Sequence, residues 1–435
     1  MFENTIEFAQ LCDDADKLKS FRTRFHFPQH NKKDVIYFCG NSLGLQPSKT
    51  EEYVLQELRD WQTFGVEGHF VAKNPWFPYH EFLRTNMSKV VGALPTEVVV
   101  MNSLTTNIHL LLVSFYKPTK ERYKIICEVS AFPSDQYALQ SQVKFHACLP
   151  DRQGYNPDDA IIELKPREGE YAIRHEDVLA TIEKHKNELA LVFIGNPNYY
   201  TGQVFNMKEI TDMGHRCGAL VGFDLAHGAG NLELKLHDWN VDFAVWCSYK
   251  YLNAGPGGVA GAFVHEKHCN NTELIRFAGW WGNDPNTRFT MPHDFVPVKS
   301  ADAWQLSNAP VLPMAALRAS LEVFADAGME DLVAKRKKLN DYLRFVINEA
   351  IKRNKQGKNI FIITPEHEHE RGAQVSLICK KNGKQIHQHL ATKGVVADWR
   401  EPEVLRMAAV PLYNSFTDVF EFGKYFDEAL QLHQQ

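Results

Sequence analysis

The chain has 435 residues, of which 44% are hydrophobic and 23% are charged, as in an ordinary globular protein. This length exceeds what one hydrophobic core normally serves, so we expect two or three domains. The formal net charge of −5 gives no reason to expect nucleic acid or an anionic membrane as a partner. The eight cysteines include no Cys-x-x-Cys pair, which argues against a disulfide framework and a zinc ribbon, and no metal site is predicted.

The first twenty residues are acidic and amphipathic, without the basic start and apolar centre of a signal peptide. The longest apolar runs are far too short to span a bilayer. The sequence therefore predicts a cytoplasmic protein with no membrane partner.

Residues 1–60 are predicted to form an N-terminal arm with helices. A first helix precedes a basic-aromatic segment that ends at Phe27-Pro28, and residues 35–39 have the pattern of a short strand. Gly40-Asn41-Ser42-Leu43-Gly44 then makes a tight turn, which either binds an anion through backbone N–H groups or is an ordinary turn. Apolar residues at 54, 55, 58 and 61 predict a helix after it.

Residues 61–305 are predicted to form a large cofactor-binding α/β domain with a mostly parallel sheet flanked by helices. Short apolar strands alternate with helices from about residue 95 to 265. The expected strands cover residues 98–101, 124–127, 189–194, 219–223 and 241–247. No glycine fingerprint for a dinucleotide follows any of them, which disfavours a Rossmann dehydrogenase.

Residues 306–435 are predicted to form a smaller α+β domain. A helical stretch after Pro313 reaches about residue 352, and strands are expected at 360–363, 374–379 and around 405–408. Helices are expected at 385–393 and from about residue 417. An irregular segment with two tryptophans, residues 279–310, precedes this domain and is a candidate binding loop.

Two strand ends carry the residues that indicate chemistry. Lys250 follows the apolar run 241–247, and burial there would favour the neutral amine that a Schiff base needs, although a solvated lysine in a turn is the alternative. Asp224 ends the strand 219–223 and is otherwise a helix N-cap. Pyridoxal phosphate needs a lysine for its aldehyde and a carboxylate that keeps its pyridine nitrogen protonated. Ligands of open α/β sheets bind where both residues are expected, beyond the carboxyl ends of the strands.

Other candidate residues stand at further junctions. Residues 102–107 open a helix with hydroxyls and free N–H groups, which suits a phosphate, although N-capping explains one of them. Phe132 lies at another strand-to-helix junction and either stacks on a planar cofactor or packs. His69 is a lone loop histidine, for which a structural role is the simpler interpretation. Arg406 lies in an apolar strand and needs a carboxylate partner, so an internal salt bridge is one interpretation.

Six segments together carry a family resemblance. They are Gly40–Gly44, Phe132–Asp135, Tyr200–Gly202, Gly222–His227, Trp246–Asn253 and Pro411–Ser415. In this order they resemble kynureninase, a family of pyridoxal phosphate enzymes with the aspartate-aminotransferase fold (PLP fold type I), from about residue 35 to the C-terminus. The resemblance implies a homodimer with shared active sites. It implies hydrolytic Cβ–Cγ cleavage of L-kynurenine or 3-hydroxy-L-kynurenine, giving L-alanine and anthranilate or 3-hydroxyanthranilate, in tryptophan catabolism and NAD biosynthesis.

The resemblance also implies residue roles. Lys250 would hold the cofactor and shuttle protons, Asp224 would pair with the pyridine nitrogen, and His227 would support the ring. Tyr249 would bind the phosphate and is a plausible proton donor, so Lys250, Tyr249 and Asp224 are the predicted catalytic residues. The other predicted cofactor contacts are Leu104, Thr105, Phe132, Pro133, Ser134, Asp135, Trp280 and Asn308. Of these, Trp280 and Asn308 match positions that reach the neighbouring subunit's site.

The implied substrate contacts are Ser42, His69, Asn308 and Arg406. Arg406 would bind the substrate α-carboxylate bidentately, in competition with the salt-bridge interpretation. The pair of His69 and Asn308 resembles the eukaryotic type, which is associated with 3-hydroxykynurenine. Gly195 is a departure, because many relatives carry serine there near the cofactor, and Asn196 or Asn198 could replace the lost contact.

Two alternatives remain at this stage. A cysteine desulfurase or selenocysteine lyase of the same fold needs a reactive cysteine on a mobile loop over the site, whereas Cys379 lies in a predicted strand. A non-catalytic binding protein is the other alternative, and the presence of both the lysine and the carboxylate argues against it.

Overall fold

A seven-stranded sheet is the centre of the computed structural model, which describes residues 2–148 and 155–433. In chain order its strands are β1 Val98–Val100, β2 Lys124–Glu128, β3 Ile161–Leu164, β4 Leu189–Gly195, β5 Leu220–Asp224, β6 Phe243–Trp246 and β7 Gly261–Val264. They lie in the order β1-β7-β6-β5-β4-β2-β3. β6, β5, β4, β2 and β3 pair in parallel, and β7 runs antiparallel to both β6 and β1. The predicted mostly parallel sheet is therefore confirmed.

Burial on both faces explains why the central strands were readable in the sequence. Every residue of β6 is buried, as is nearly all of β4 and β5, so these strands are continuous apolar runs. β3 and β7 were not predicted. β3 is a four-residue edge strand that is only half-buried and includes Glu163, and β7 is equally short and begins at a glycine.

The longer helices flank this sheet and a second, smaller one. They are α1 Ile6–Asp14, α2 Thr50–Phe64, α3 Glu81–Val91, α4 Leu104–Phe115, α5 Pro133–Ala147, α6 His175–Lys184, α7 Met207–Arg216, α8 Val311–Ala327, α9 Met329–Arg353, α10 Gly383–Thr392 and α11 Phe416–Leu432. The helical stretch predicted after Pro313 is thus two helices. Gly328 separates them with a φ of +74°, a backbone conformation that glycine adopts readily.

The smaller sheet contains β8 Ile360–Ile362, β9 Gln374–Cys379, β10 Asp398–Arg400 and β11 Val404–Ala408. Its order is β8-β9-β11-β10 and every pairing is antiparallel. Ala9 of α1 and Phe38 lie in the apolar core of this sheet, and Ile36–Tyr37 pairs with Val395–Val396. The predicted strand at 35–39 therefore joins the C-terminal part of the chain. The domain boundaries at residues 60 and 305 stay predictions.

The helices of the described residues are too short or too polar to span a bilayer.

Candidate active site

A cavity of about 150 Å³ opens beyond the carboxyl ends of β2, β4 and β5, where the N-termini of α4 and α5 also meet. This is the position at which open α/β sheets bind ligands. The structure brings together most of the predicted cofactor residues in its lining: Leu104, Thr105, Phe132, Ser134, Asp135, Asp224, His227, Tyr249 and Lys250. Residues that had not been predicted as contacts also line it: Ser103, Glu128, Gly195, Pro197, Tyr199 and Ala226.

Lys250 is buried and lies against His227. Its Nζ is 3.0 Å from His227 Nε2 and 5.7 Å from the centre of the Phe132 ring. Burial, and then the charge of Lys250, lowers the pKa of His227 well below its usual value, so the imidazole is neutral. Nε2 of a neutral imidazole can accept a hydrogen bond from Lys250 when Nδ1 carries the proton. The geometry fixes the lysine amine inside the cavity.

Two aspartates lie at the same end of the cavity. The Asp224 Oδ1 atom accepts a hydrogen bond of 2.7 Å from the Ala226 N–H, and burial raises the pKa of Asp224 although Lys250 opposes the shift. Burial, followed by the charges of Asp224 and Glu128, raises the pKa of Asp135 well above its usual value. Asp135 Oδ1 has no hydrogen-bond partner among the described residues. These buried carboxyl groups can therefore accept a protonated ring nitrogen.

Glu128 is the acidic residue that the sequence analysis missed. It ends β2 as Asp224 ends β5, so the same strand-end signal could have identified it. Both of its carboxyl oxygens lie 3.1 Å from the N–H of Gly195, which donates to them, and burial raises the pKa of Glu128 to about 7. A Cβ at position 195 would lie 2.7 Å from Glu128 Oε1, too close for an unmoved neighbour. Glycine at 195 thus leaves room for the Glu128 side chain.

Asn196 and Asn198 were the suggested replacements for a serine at 195. The Asn196 amide exchanges hydrogen bonds of 3.2 and 3.0 Å with the Phe205 backbone. Asn198 Oδ1 accepts from the Tyr200 and Thr201 N–H groups at 3.0 Å each. Both side chains form hydrogen bonds within residues 196–205. Glu128 is the polar side chain that occupies the space beside Gly195.

The N-terminus of α4 forms another wall. Ser103 stands at its N-cap position but makes no side-chain capping hydrogen bond, and its Oγ instead lies 3.0 Å from Thr106 Oγ1. The turn before the helix is held by Asn107, which donates to the Met101 carbonyl and accepts from Asn102, both at 3.0 Å. A helix N-terminus without that cap attracts an anion through its N–H groups and dipole.

The chemistry of these donors fits pyridoxal phosphate. A helix N-terminus suits the phosphate, buried carboxyl groups suit the ring nitrogen, and Lys250 suits the aldehyde. Phe132 offers a half-exposed ring beside the cavity, packed edge-on against Tyr199 at 5.3 Å. Tyr249 is half-buried, and burial raises the pKa of its hydroxyl, which therefore stays protonated at neutral pH.

Arg406 and the turn that contains Ser42 lie outside the lining. Arg406 is almost fully buried, and its Nε donates to Asp398 Oδ2 at 2.7 Å. The salt bridge considered from the sequence is therefore present, while the role of Arg406 towards substrate stays a prediction. The turn Gly40–Gly44 contacts the Lys250 loop, since the Gly44 N–H donates to the Tyr249 carbonyl at 2.8 Å. A Cβ on Gly44 would overlap the Lys250 carbonyl, which explains the glycine.

The remaining predicted residues are not gathered into the cavity lining of the single chain. Pro133 is the first residue of α5. His69 is half-buried, with Nδ1 2.9 Å from the Val66 carbonyl. Trp280 is 46% exposed, and Asn308 is exposed beside a separate shallow cavity that shares Ser103 with this one. Their roles stay predictions.

Comparison with known proteins places the chain in a family. The family model described as "Kynureninase C-terminal domain" matches residues 332–426. The kynureninase of Flavobacterium psychrophilum is 54% identical over 431 residues, 99% of either chain, and that of Nematostella vectensis is 46% identical over 98% of this chain and 94% of its own.

Solved structures agree in fold. The cysteine desulfurase of Thermococcus onnurineus has a TM-score of 0.73 at 15% identity, covering 91% of this chain and 95% of that one. A C-DES mutant with glycine covalently linked to its PLP cofactor also has a TM-score of 0.73, at 16% identity, covering 90% and 96%. At such identities the likeness shows a shared fold alone. The end-to-end sequence matches are far stronger, and by them this chain belongs to the kynureninase family.

Proposed function

We propose that the chain is a pyridoxal phosphate enzyme that hydrolyses the Cβ–Cγ bond of L-kynurenine or 3-hydroxy-L-kynurenine. The products are L-alanine and anthranilate or 3-hydroxyanthranilate, with one water consumed. The observation that carries the proposal is the Lys250 amine enclosed in one cavity with Asp224, at the strand ends where such a cofactor is expected. Membership of the kynureninase family supplies the substrate class.

When bound, pyridoxal phosphate supplies an aldehyde and a ring that withdraws electrons from the substrate Cα. Lys250 would hold the aldehyde and would move the proton at the substrate Cα. Asp224 would keep the pyridine nitrogen protonated, because a buried carboxylate would gain a cationic partner there. His227 is neutral and positions the Lys250 amine through the 3.0 Å contact.

Tyr249 is our candidate for the proton that the substrate Cβ receives. Its hydroxyl stays protonated because burial raises its pKa, and it lines the same cavity as Lys250. A group that keeps its proton in the resting site suits a general acid. Glu128 also lines the cavity, and because burial raises its pKa to about 7, it can exchange a proton near neutral pH.

Arg406 remains our candidate for binding the substrate α-carboxylate, and Ser42 for a further substrate contact. The Arg406 Nη1 atom donates to the Tyr199 carbonyl at 2.5 Å, and Tyr199 lines the cavity. The Arg406 guanidinium is therefore separated from the cavity by Tyr199. Its present partner is Asp398. Substrate binding would therefore require Arg406 to share or exchange a charged partner, which makes Asp398 a competitor for the guanidinium.

We also propose a homodimer in which His69, Trp280 and Asn308 contribute to the neighbouring subunit's site. These residues are exposed or half-exposed in the single chain and lie in segments with exposed apolar side chains, among them Trp61, Phe70 and Phe289. Exposed apolar patches commonly mark protein interfaces. Localisation in the cytoplasm is supported by eight cysteines that are all unpaired, as expected in a reducing compartment.

No observation favours cysteine desulfuration. No cysteine lines the cavity, and Cys379 is buried in β9, where burial raises its pKa to about 12. Cys148 is exposed, but it follows α5, whose 15 residues separate it from the cavity by about 20 Å. A reactive cysteine over the site is therefore missing from the eight.

The test is a side-by-side assay of purified, cofactor-loaded protein with L-kynurenine and 3-hydroxy-L-kynurenine, followed by product fluorescence. We expect anthranilate or 3-hydroxyanthranilate together with stoichiometric alanine. The ratio of the two kcat/KM values reports on the pocket around His69 and Asn308, which predicts a preference for the hydroxylated substrate. If the cofactor-loaded enzyme forms neither product, the proposed substrate is wrong.

A further inference from the structure

A second cavity, of about 460 Å³, lies between the two sheet systems on the other side of residues 195–199. One wall comes from the segment that follows β4 and from the start of α7. The opposite wall comes from α9 and from residues 368–371. The walls meet where the Val204 N–H donates to the Glu370 carbonyl at 2.8 Å. We call this cavity the interdomain cleft, and its size is in the range of small-ligand sites.

Several charged residues at the rim of the interdomain cleft are paired with one another, while Glu233 pairs with Lys235 outside the lining and Glu370 also lines the cleft. His175 Nε2 is 2.8 Å from Glu209 Oε2, and Lys337 Nζ is 2.7 Å from Glu368 Oε1. Most of these side chains are half-exposed, so their charges are already balanced and screened. Glu233 and Glu370 give the rim a small excess of negative charge, which solvent screens because the rim is largely exposed.

The floor of the cleft is different, because Arg336 forms no ion pair among the described residues, and the charge of Glu368 only partly opposes the effect of its burial. It is 5% exposed, its Nη1 donates to the Arg371 carbonyl at 2.6 Å, and its Nε has no hydrogen-bond partner. Within the described residues no carboxylate lies within 4 Å of it, since Arg371 takes Asp341 and Lys337 takes Glu368. Burial lowers the pKa of Arg336 to about 10. A buried, unpaired guanidinium is costly, and an anion would compensate it.

Apolar side chains surround this charge. Leu232, Leu234 and Val333 are buried in the lining, and the half-buried indole of Trp239 stands beside them. Sites for small organic ligands combine such an apolar lining with few polar groups that fix orientation. An inorganic anion would use the guanidinium and leave these surfaces wet, whereas an organic acid uses both.

We propose that the interdomain cleft binds a small organic monocarboxylate, with its carboxylate on Arg336 and its apolar body against Trp239. The site is separate from the reaction centre but adjacent to it. Asn196 lines the cleft, its N–H donates to the Asp224 carbonyl at 2.8 Å, and its neighbours Gly195 and Pro197 line the cofactor cavity. An occupant would touch both sheet systems and hold them together.

Isothermal titration of the cofactor-loaded enzyme with benzoate tests the inference, with benzamide as the uncharged control of the same shape. We expect saturable benzoate binding that weakens at least tenfold in Arg336→Gln and that benzamide does not reproduce. Arg344→Gln is the matched control, because Arg344 lies on the same helix but donates to the Thr364 carbonyl outside the cleft. It should bind benzoate like the parent.

Two further variants keep the result decisive. Val333→Glu places a carboxylate one helical turn from Arg336, and it should abolish benzoate binding while supplying the missing counter-ion. The Val333→Glu result tests the site even if Arg336→Gln does not fold. Arg406→Gln should retain the binding, since that residue belongs to the reaction site. The proposal is overturned if Val333→Glu binds benzoate normally, if benzamide binds as tightly, or if Arg406→Gln alone removes the binding.

Discussion

The two ends of the seven-stranded sheet both bury carboxyl groups but satisfy them differently. At the carboxyl end, Asp135 has an oxygen without a partner, and Glu128 accepts from a single backbone N–H. At the opposite end, Asp242 precedes β6 and accepts from Val221 N–H at 2.7 Å, His215 at 2.8 Å, His268 at 2.7 Å and Lys267 at 2.9 Å.

Glu97, before β1, resembles Asp242. It accepts from the N–H groups of Leu94 and Glu266 at 2.9 and 2.8 Å, and its Oε1 lies 3.0 Å from His237 Nδ1. Burial raises the pKa of Glu128, whereas at Asp242 the hydrogen bonds from His215 and His268 outweigh burial and lower the pKa. A buried carboxyl group therefore indicates either a ligand site or a structural clamp. The number of hydrogen bonds that it accepts from the protein distinguishes the two.

The largest expected effect is on catalysis at the carboxyl end. Lys250→Ala should lower kcat by at least about 10³-fold, because the group that we propose to hold the cofactor and move the Cα proton is gone. The visible absorbance of lysine-bound cofactor should disappear, while the thermal midpoint of the cofactor-free protein changes little. A variant that retains both the absorbance and the rate would contradict the assignment of Lys250.

Asp242→Ala should show the reverse pattern. Removing this carboxylate leaves His215, His268 and Lys267 without their shared acceptor, which should cost about 4 kcal/mol in the free energy of unfolding. Denaturant unfolding measures the loss, and kcat per folded molecule should stay near the parent value. Asp242→Asn keeps an acceptor and should lose less. If Asp242→Ala is as stable as the parent, the clamp interpretation is wrong.

Glu128→Gln tests the pH dependence of the carboxyl end. The folded pKa of Glu128, about 7, lies above its ordinary value of 4.5, so the folded protein holds the proton more tightly than the unfolded chain. Stability is therefore full below pH 4.5 and falls by about 3 kcal/mol as the pH rises through 7. The cofactor-free variant should lack this fall in denaturant titrations at pH 5 and 8. Equal slopes in both proteins would rule out Glu128 as the titrating group.

The smallest effect concerns His237 at the opposite end. The hydrogen bond to Glu97 raises the pKa of His237, so its contribution to stability is full below pH 6.5 and is lost as the pH rises through the folded pKa. The His237 side chain is 31% exposed, and solvent screening limits the contribution to less than about 1 kcal/mol. His237→Asn should flatten the stability profile between pH 6 and 8 by that amount. A flattening of several kcal/mol would mean that His237 is as important as Asp242.

The candidate site could be predicted from the sequence where local signals coincide. β5 and β6 are continuous apolar runs, and Asp224 and Lys250 stand at their carboxyl ends, so pattern and topology agree. Glu128 carries the same signal and was overlooked. The salt bridge of Arg406 was anticipated, but its partner Asp398 lies on another strand, and the sequence contains no marker of that pairing.

Other features depend on contacts that no local pattern encodes. Gly195 was noted as a departure, but only the arrangement of β2 beside β4 reveals that Glu128 fills the space. The clamp at Asp242 joins histidines from α7 and from the turn after β7, and neither element has a pattern that indicates the other. His69, Trp280 and Asn308 lie outside the cavity lining of a single chain, so their proposed roles depend on contacts between two chains.

The reversed strand β7 has a consequence for the order in which the molecule assembles. β1 is at the edge of the sheet and pairs only with β7, which is made more than 150 residues later. Closing so long a loop is entropically slow, so we expect β1 and the α4 N-terminus behind it to dock late. A growing chain would thus complete β6, which precedes Lys250, before the α4 N-terminus docks, and the proposed cofactor site would be complete only at the last step of folding.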